Sequence, residues 1–156
     1  MARISIIVLN YNGKELIGGC LKALERQSFK DFKVVIVDNG SFDSSVFEIQ
    51  RLLEETPITP LLKSGSLEKN LGFAGGNLER LRYANGEYIA LLNNDTEPDR
   101  RWLEELLKAM DSVPKVGICA SKLLVHGTNI IDSAGDGFST LLRGFKRGEG
   151  GESLFI

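Results

Sequence analysis

Asn93-Asn94-Asp95 follows directly on the apolar run Tyr88–Leu92 and precedes Thr96-Glu97-Pro98-Asp99. Oxygen-bearing side chains at the tip of a buried strand suit a hard divalent cation. Mg2+ and Mn2+ take oxygen ligands, and one or two carboxylates plus substrate phosphates complete their shells. Asp95 is the carboxylate here, with Asn93 two residues before it. The same residues also make an ordinary turn, or add to the cap of the next helix. Asp38 closes the apolar run Val34–Val37 and stands before Asn39-Gly40. A carboxylate there can accept from a base N–H or a ribose hydroxyl, and equally suits the turn that Asn-Gly favours. Leu9-Asn10-Tyr11-Asn12 ends the first apolar run in the same way. The glycines of "NLGFAGGN" (70–77) let backbone N–H groups approach a phosphate or sugar closely, or simply shape a tight loop.

These residues need elements to hold them. "RISIIVLNYN" (3–12) and "FKVVIVDNGS" (32–41) are β-branched runs of the kind buried on both faces of a sheet. Between them, Ile17, Cys20, Leu21 and Leu24 keep helical spacing. Val46, Ile49, Leu52 and Leu53 repeat that spacing over 45–55, with Ser45 and Glu48 at capping-box distance. A short strand is expected at 58–63, then the glycine-rich loop 69–77 leading into a helix through Leu78, Leu81 and Arg82, then a strand at 87–95. The helix expected at 99–111 carries Trp102, Leu103, Leu106, Leu107 and Met110 on one face, with Thr96 and Asp99 as its capping box and Pro98 in its first turn. "VGICASKLL" (116–124) reads as a last strand. The order βαβαβαβαβ implies an α/β fold, a mostly parallel sheet sandwiched by helices. Ligands of such sheets bind beyond the carboxyl ends of the strands, where all three polar clusters stand. Residues 1–125 therefore read as one α/β domain. Residues 126–156 read as a glycine-rich segment with a short strand or hairpin at Ile130-Ile131, then a mobile loop bearing Arg143, Lys146 and Arg147.

Composition narrows the classes. The chain has 156 residues, 42% hydrophobic and 26% charged, enough for one ordinary globular core. A formal net charge of −2 gives no electrostatic reason to expect nucleic acid as a partner. Cys20 and Cys119 lie in apolar settings without a CxxC partner, and read as reduced, buried thiols in a reducing compartment. No apolar stretch approaches the roughly 20 residues of a membrane span, and the N-terminus reads as a strand rather than a signal peptide. GxxxxGK[ST], GxGxxG and GxSxG motifs do not occur. His126, the one histidine, suits a loop.

"SIIVLNYNGKELIGGCLKAL", "VVIVDNGSFDSS", "NLGFAGGN", "EYIALLNNDTEPDRRWLEEL", "PKVGICASKLL" and "IDSAG" occur in this order and at these spacings over residues 3–135. Together they resemble the glycosyltransferase family 2 enzymes, and among them a rhamnosyltransferase-like group. The resemblance implies the nucleotide-diphospho-sugar transferase (GT-A, Rossmann-like) fold and transfer of a sugar, with inversion, from a UDP- or dTDP-linked donor to a hydroxyl of a saccharide, lipid-linked or protein acceptor. It implies that Leu9, Asn10, Tyr11 and Asn12 wall the nucleobase, that Asp38 and Asn39 meet the base or ribose, and that Asn70, Gly72, Gly75 and Gly76 meet the diphosphate and sugar. Asn93 and Asn94 take the first two places of the family's Asp-x-Asp motif, and Asp95 would hold Mg2+ or Mn2+. It implies a cytoplasmic protein, at most peripheral to the inner face of the membrane.

The resemblance also sets the general base in a segment beyond Ile156, so the chain reads as an apparently truncated, donor-binding part leading to an absent acceptor half. Glu149 and Glu152 are poor substitutes in their glycine-rich setting. A catalytically inactive nucleotide-sugar-binding or scaffolding module is the alternative. A sugar-nucleotide pyrophosphorylase is disfavoured, because "LNYNGKEL" lacks a basic glycine-rich loop. Apolar surface left by a short sheet makes self-association an expectation.

Overall fold

β1 (Ile4–Asn10) is the spine of the sheet. It pairs in parallel with β2 (Phe32–Asp38) on one side and with β4 (Tyr88–Asn93) on the other. The computed structural model describes residues 2–55, 61, 62, 67, 69–141 and 143–153, and the chain divides into two compact units, Met1–Glu104 and Glu105–Ile156. In the first unit β3 (Leu61–Leu62) completes the strand order β3-β2-β1-β4. The remainder of the strand expected at 58–63 lies outside the described residues.

The sequence dictates this layering. All seven residues of β1 are buried, as befits a central strand whose side chains alternate between two covered faces. Ile7 and Leu9 join Val37 in a core packed against Leu81 and Ala84. These two belong to the turn that follows helix α3 (Gly72–Arg80). Ile4, Ile6 and Val8 alternate with them and serve the opposite face. Further buried apolar side chains come from α1 (Ile17–Glu25), from Ile49 of α2 (Ser45–Glu55) and from Leu103 of α4 (Trp102–Ser112). Each fully buried Ile or Leu contributes on the order of 1.5–3 kcal/mol by leaving water. The expected parallel sheet flanked by helices is the fold observed.

Several local expectations change. The glycine-rich stretch is not a loop: α3 starts at Gly72, whose φ of +73° only glycine adopts freely. Gly76 then lets the helix lie against the sheet, since a Cβ there would stand 2.7 Å from Leu9 Cδ1. Asp43 rather than Ser45 caps α2, accepting from the Ser45 N–H at 3.0 Å. Glu48 pairs with Arg51 instead of closing a capping box. Thr96 closes the turn after β4 by donating to Asn93 O at 2.7 Å. The chain before α4 is held by Asp99, whose carboxylate accepts from the Arg101 N–H at 2.8 Å.

In the second unit, 116–124 is not a sheet strand. Only β5 (Leu123–Leu124) is extended and paired, with β6 (Ile131–Ser133), in an antiparallel hairpin. An apolar run becomes a strand only where a neighbour takes its N–H and C=O groups, and here only its last two residues find one. Cys119 is accordingly exposed, not buried. β7 (Asp136–Phe138) and β8 (Gly144–Lys146) form a second hairpin, from which Lys146 pairs with Asp132 of β6 at 2.8 Å. His126 sits in an exposed turn. Among the described residues no helix is long and apolar enough to cross a membrane.

Gly86 packs on the backbone of β1, where an added Cβ would meet Ser5 N at 2.8 Å and Arg3 O at 2.9 Å. Neither atom can retreat without breaking the sheet, so Gly86→Ala should cost about 1–3 kcal/mol in chemical denaturation. Gly18, inside α1, meets only Leu52 Cδ1 at 3.8 Å. Gly18→Ala should instead gain up to about 1 kcal/mol from helix propensity.

Candidate functional site

The carboxyl ends of β1, β2 and β4 meet along one edge of the sheet, because the parallel register aligns Asn10 with Asp38 and Leu9 with Asn93. Their polar side chains join in a single chain of hydrogen bonds. Asn94 Nδ2 donates to Asn10 Oδ1 at 2.8 Å. Asn10 Nδ2 donates to Asp38 Oδ1 at 3.0 Å and to Ser41 Oγ at 3.2 Å. Ser41 returns to Asp38 through its hydroxyl, 2.6 Å from Oδ1, and its N–H, 3.0 Å from Oδ2. Asp38 is 1% exposed and Asn10 is fully buried. A buried carboxylate is tolerable only with such partners.

A second bridge ties the tip of β2 to α3. Asn39 Nδ2 donates to Asn70 Oδ1 at 2.8 Å, and Asn39 Oδ1 accepts from the Leu71 N–H at 3.0 Å. Asn70 Oδ1 also accepts from the Gly72 N–H at 2.7 Å, which shapes the entry to the helix. A third links the turn after β1 to the turn after β2. Asn12, at φ +50°, donates its N–H to Ser41 Oγ at 2.9 Å, and its Oδ1 accepts from the Phe42 N–H at 3.0 Å. Asparagine is among the few side chains that tolerate this left-handed conformation. The arrangement sets Tyr11 edge-on to Phe42, with ring centres 6.3 Å apart at 81°.

The expected site residues thus separate into two groups. Leu9, Asn10, Asp38 and Asn39 are buried. Asn12, Gly75 and Asn94 are half-buried, and Gly76 is buried against Leu9 and Asn39. Tyr11, Asn70, Gly72, Asn93 and Asp95 are exposed. The first turn of α3 presents backbone N–H groups close to the Asn39–Asn70 bridge, and helix N-termini of this kind favour anions.

The structure adds residues that spacing alone did not single out. Ser41 is the acceptor and donor that locks Asp38. Asp43 bonds Ser45 Oγ and accepts from the Lys14 and Ser45 N–H groups. Desolvation pushes its pKa up, but these hydrogen bonds outweigh it and hold the carboxyl below its ordinary range. The signal available for Asp43 was its place two residues before a helix. Gly13 is the third such residue. A Cβ on it would stand 1.8 Å from Asn94 Nδ2 and 2.5 Å from Asn10 Oδ1.

Asp95 is the carboxylate at the tip of β4. Among the described residues, no group of three or more His, Cys, Asp or Glu comes together as a metal cage. A single exposed carboxylate beside amide oxygens suits a hard cation whose remaining ligands are phosphate oxygens and water, and does not suit a thiolate- or imidazole-seeking metal. The residues present therefore fit Mg2+ or Mn2+ brought with a diphosphate. Beneath the tip lies Cys20, whose Sγ is 3.7 Å from Asn93 O. Burial, then the charges of Asp95 and Glu97, push its thiol up to about 12.

Two predictions follow from this geometry. Gly13→Ala would separate Asn94 from Asn10 and leave a buried amide oxygen without a donor, costing about 1–3 kcal/mol in chemical denaturation. A disulfide reagent at pH 8 should modify exposed Cys119 rapidly, and Cys20 only after unfolding, because a buried, protonated thiol is a poor nucleophile. Mass mapping of the labelled cysteine distinguishes the two.

The sheet, its flanking helices and the strand-edge site define a nucleotide-sugar transferase fold of the GT-A type. The chain belongs to glycosyl transferase family 2, whose profile matches residues 5–146. It is similar to an uncharacterised glycosyltransferase of Nostoc sp., 29% identical over 132 residues, which are 83% of this chain and 38% of that protein. A GalNAc(5)-diNAcBac-PP-undecaprenol beta-1,3-glucosyltransferase of Campylobacter jejuni is 26% identical over 97 residues, 62% of this chain and 31% of that one. Among solved structures, S. aureus TarS 1-349 in complex with UDP-GlcNAc is similar with a TM-score of 0.60 and 26% identity, over 77% of this chain and 38% of that one. The mannosyltransferase PcManGT from Pyrobaculum calidifontis, in complex with GDP-Man and Mn2+, gives 0.62 and 27%, over 77% and 36%. The chain spans well under half the length of each of these relatives.

Proposed function

We propose that this chain is the donor-binding part of an inverting, metal-assisted glycosyltransferase of the rhamnosyltransferase-like group. It takes a UDP- or dTDP-linked sugar and serves transfer to a hydroxyl of a saccharide, lipid-linked or protein acceptor. The observation that carries this reading is the convergence of the β1, β2 and β4 tips into one hydrogen-bonded edge beside the N-terminus of α3. The nucleotide sugars named for the two solved relatives support it.

On this reading Tyr11 and Phe42 offer exposed aromatic surface to the base. Asp38 Oδ2, engaged among the described residues by the Ser41 N–H, keeps one lone pair for a base N–H or a ribose hydroxyl. The N–H groups at the start of α3 face the diphosphate, with Asn70 beside them. Asp95, with Asn93 and Asn94, holds Mg2+ or Mn2+, which would neutralise charge on the departing diphosphate. Asn93 in place of a first acid lowers the site's negative charge, so the cation binds weakly until the nucleotide arrives. Attack by the acceptor hydroxyl needs a general base, and no residue of this chain is assigned that role.

Calorimetric titration of UDP, dTDP and GDP, with and without Mn2+, tests the proposal. The wild type should bind at least one nucleotide, and more tightly with Mn2+. Asp95→Ala should keep the metal-free affinity and lose the Mn2+-dependent gain. A folded wild type that binds none of the three with Mn2+ present would sink the reading.

A further inference from the structure

Asn10 stands apart from the rest of the site because none of it reaches the surface. It is fully buried at the end of the central strand, and both ends of its amide are already occupied. The polarity of those contacts is forced. Asp38 accepts through both oxygens, from the Ser41 hydroxyl and N–H, so the Asn10 NH2 faces it, which turns Asn10 Oδ1 toward β4. That oxygen then requires a donor, and Asn94 Nδ2 supplies it at 2.8 Å. The order Asn94 to Asn10 to Asp38 therefore runs one way and cannot be reversed without placing oxygen against oxygen. Gly13 is part of the same device, since any Cβ at that position would occupy the space of the Asn94 amide.

We propose that Asn10 is a positioning residue, not a wall of the base pocket: it sets the turn that carries Asp95 in register with Asp38, so that nucleotide and cation bind cooperatively. The inference rests on the donor-site reading above. Asp95 follows Asn94 directly, and its peptide is also held by the turn at Asn93, whose oxygen takes the Thr96 N–H at 3.3 Å and the Thr96 hydroxyl. With Asn94 anchored on Asn10, the carboxylate is presented at a fixed distance from the nucleoside end of the site. Binding at either end then favours the geometry that the other end needs, and the coupling is reciprocal. Groups that orient a metal ligand from behind typically govern affinity about 10–100-fold.

The test compares the Mn2+-dependent gain in UDP, dTDP or GDP affinity among the wild type, Asn10→Ala, Asn10→Asp and Gly13→Ala, by calorimetry. Circular dichroism and the thermal midpoint of each variant are recorded alongside. Asn10→Asp keeps the shape of the amide but sets a carboxylate against Asp38, so it should behave like Asn10→Ala. All three variants should lose about 10–100-fold of affinity in the presence of Mn2+, and the ratio of affinities with and without the metal should fall toward one. If the Asn10 variants do not fold, Gly13→Ala decides the matter, because it breaks the Asn10–Asn94 bond while keeping the Asn10 amide itself. Lowered midpoints with an intact Mn2+ ratio are what a merely structural amide produces, and would overturn the inference while leaving the donor site standing. A wild type with no nucleotide binding would remove the donor-site reading and this one with it.

Discussion

A strand that is hydrogen-bonded on both sides and buried on both faces has no solvent in which to leave a polar side chain. β1 is such a strand, and it ends in Asn10. An unpaired amide there would cost about 1–3 kcal/mol for each group left without a partner. The fold therefore has to bring a carboxylate to one side of Asn10 and an amide donor to the other. Asp38 and Asn94 are those partners, and their positions follow from the parallel register. Around this one satisfied amide, the two outer turns are fixed: Ser41 closes on Asp38, and the turn after β4 closes on Asn94. Gly13 is glycine because no side chain fits between them.

The consequence is a site with a buried frame and an exposed rim. Asn10, Asp38 and Asn39 spend most of their hydrogen-bonding capacity on the protein, whereas Tyr11, Phe42, Asn93 and Asp95 face solvent. A frame of this kind keeps exposed groups at set separations without ligand, which lowers the ordering cost of binding. α3 belongs to the same frame through Asn39 and Asn70. Two of its glycines have separate reasons: Gly72 turns the chain into the helix through its positive φ, and Gly76 brings the helix within reach of Leu9.

The strands and their polar tips were legible in the sequence because burial on both faces leaves an unbroken apolar run, and a run that stops at Asn or Asp marks the edge of the sheet. Four features were not legible. The stretch from Gly72 to Asn77 reads as a loop by propensity, yet its close approach to Leu9 and Asn39 at Gly76 offsets the roughly 1 kcal/mol per glycine that a helix loses. The caps of α2 and α4 were each misplaced by a few residues, because Asp43 and Asp99 compete with Ser45 and Thr96 for the same role and only the backbone path decides. The run 116–124 has the composition of a strand, but composition does not supply a neighbour. Ile118 is 90% exposed there. The burial of Asn10 was the hardest to read, since an exposed and a buried asparagine at the tip of a strand look identical in a sequence.

The charge of the site follows from its frame. Were residue 94 an aspartate, its oxygen would face Asn10 Oδ1 instead of donating to it, so the frame itself excludes an acid at that place. Asn93 removes a second potential charge from the rim. Asp95 is left as the one carboxylate of the Asn93-Asn94-Asp95 tip, and a hard cation held by one carboxylate depends on phosphate oxygens for the rest of its shell. On the proposed donor-site reading, a site built this way would gain its metal chiefly together with the nucleotide. The neutral amide at position 94 completes the buried chain through Asn10, and on the same reading it would leave the cation dependent on the diphosphate.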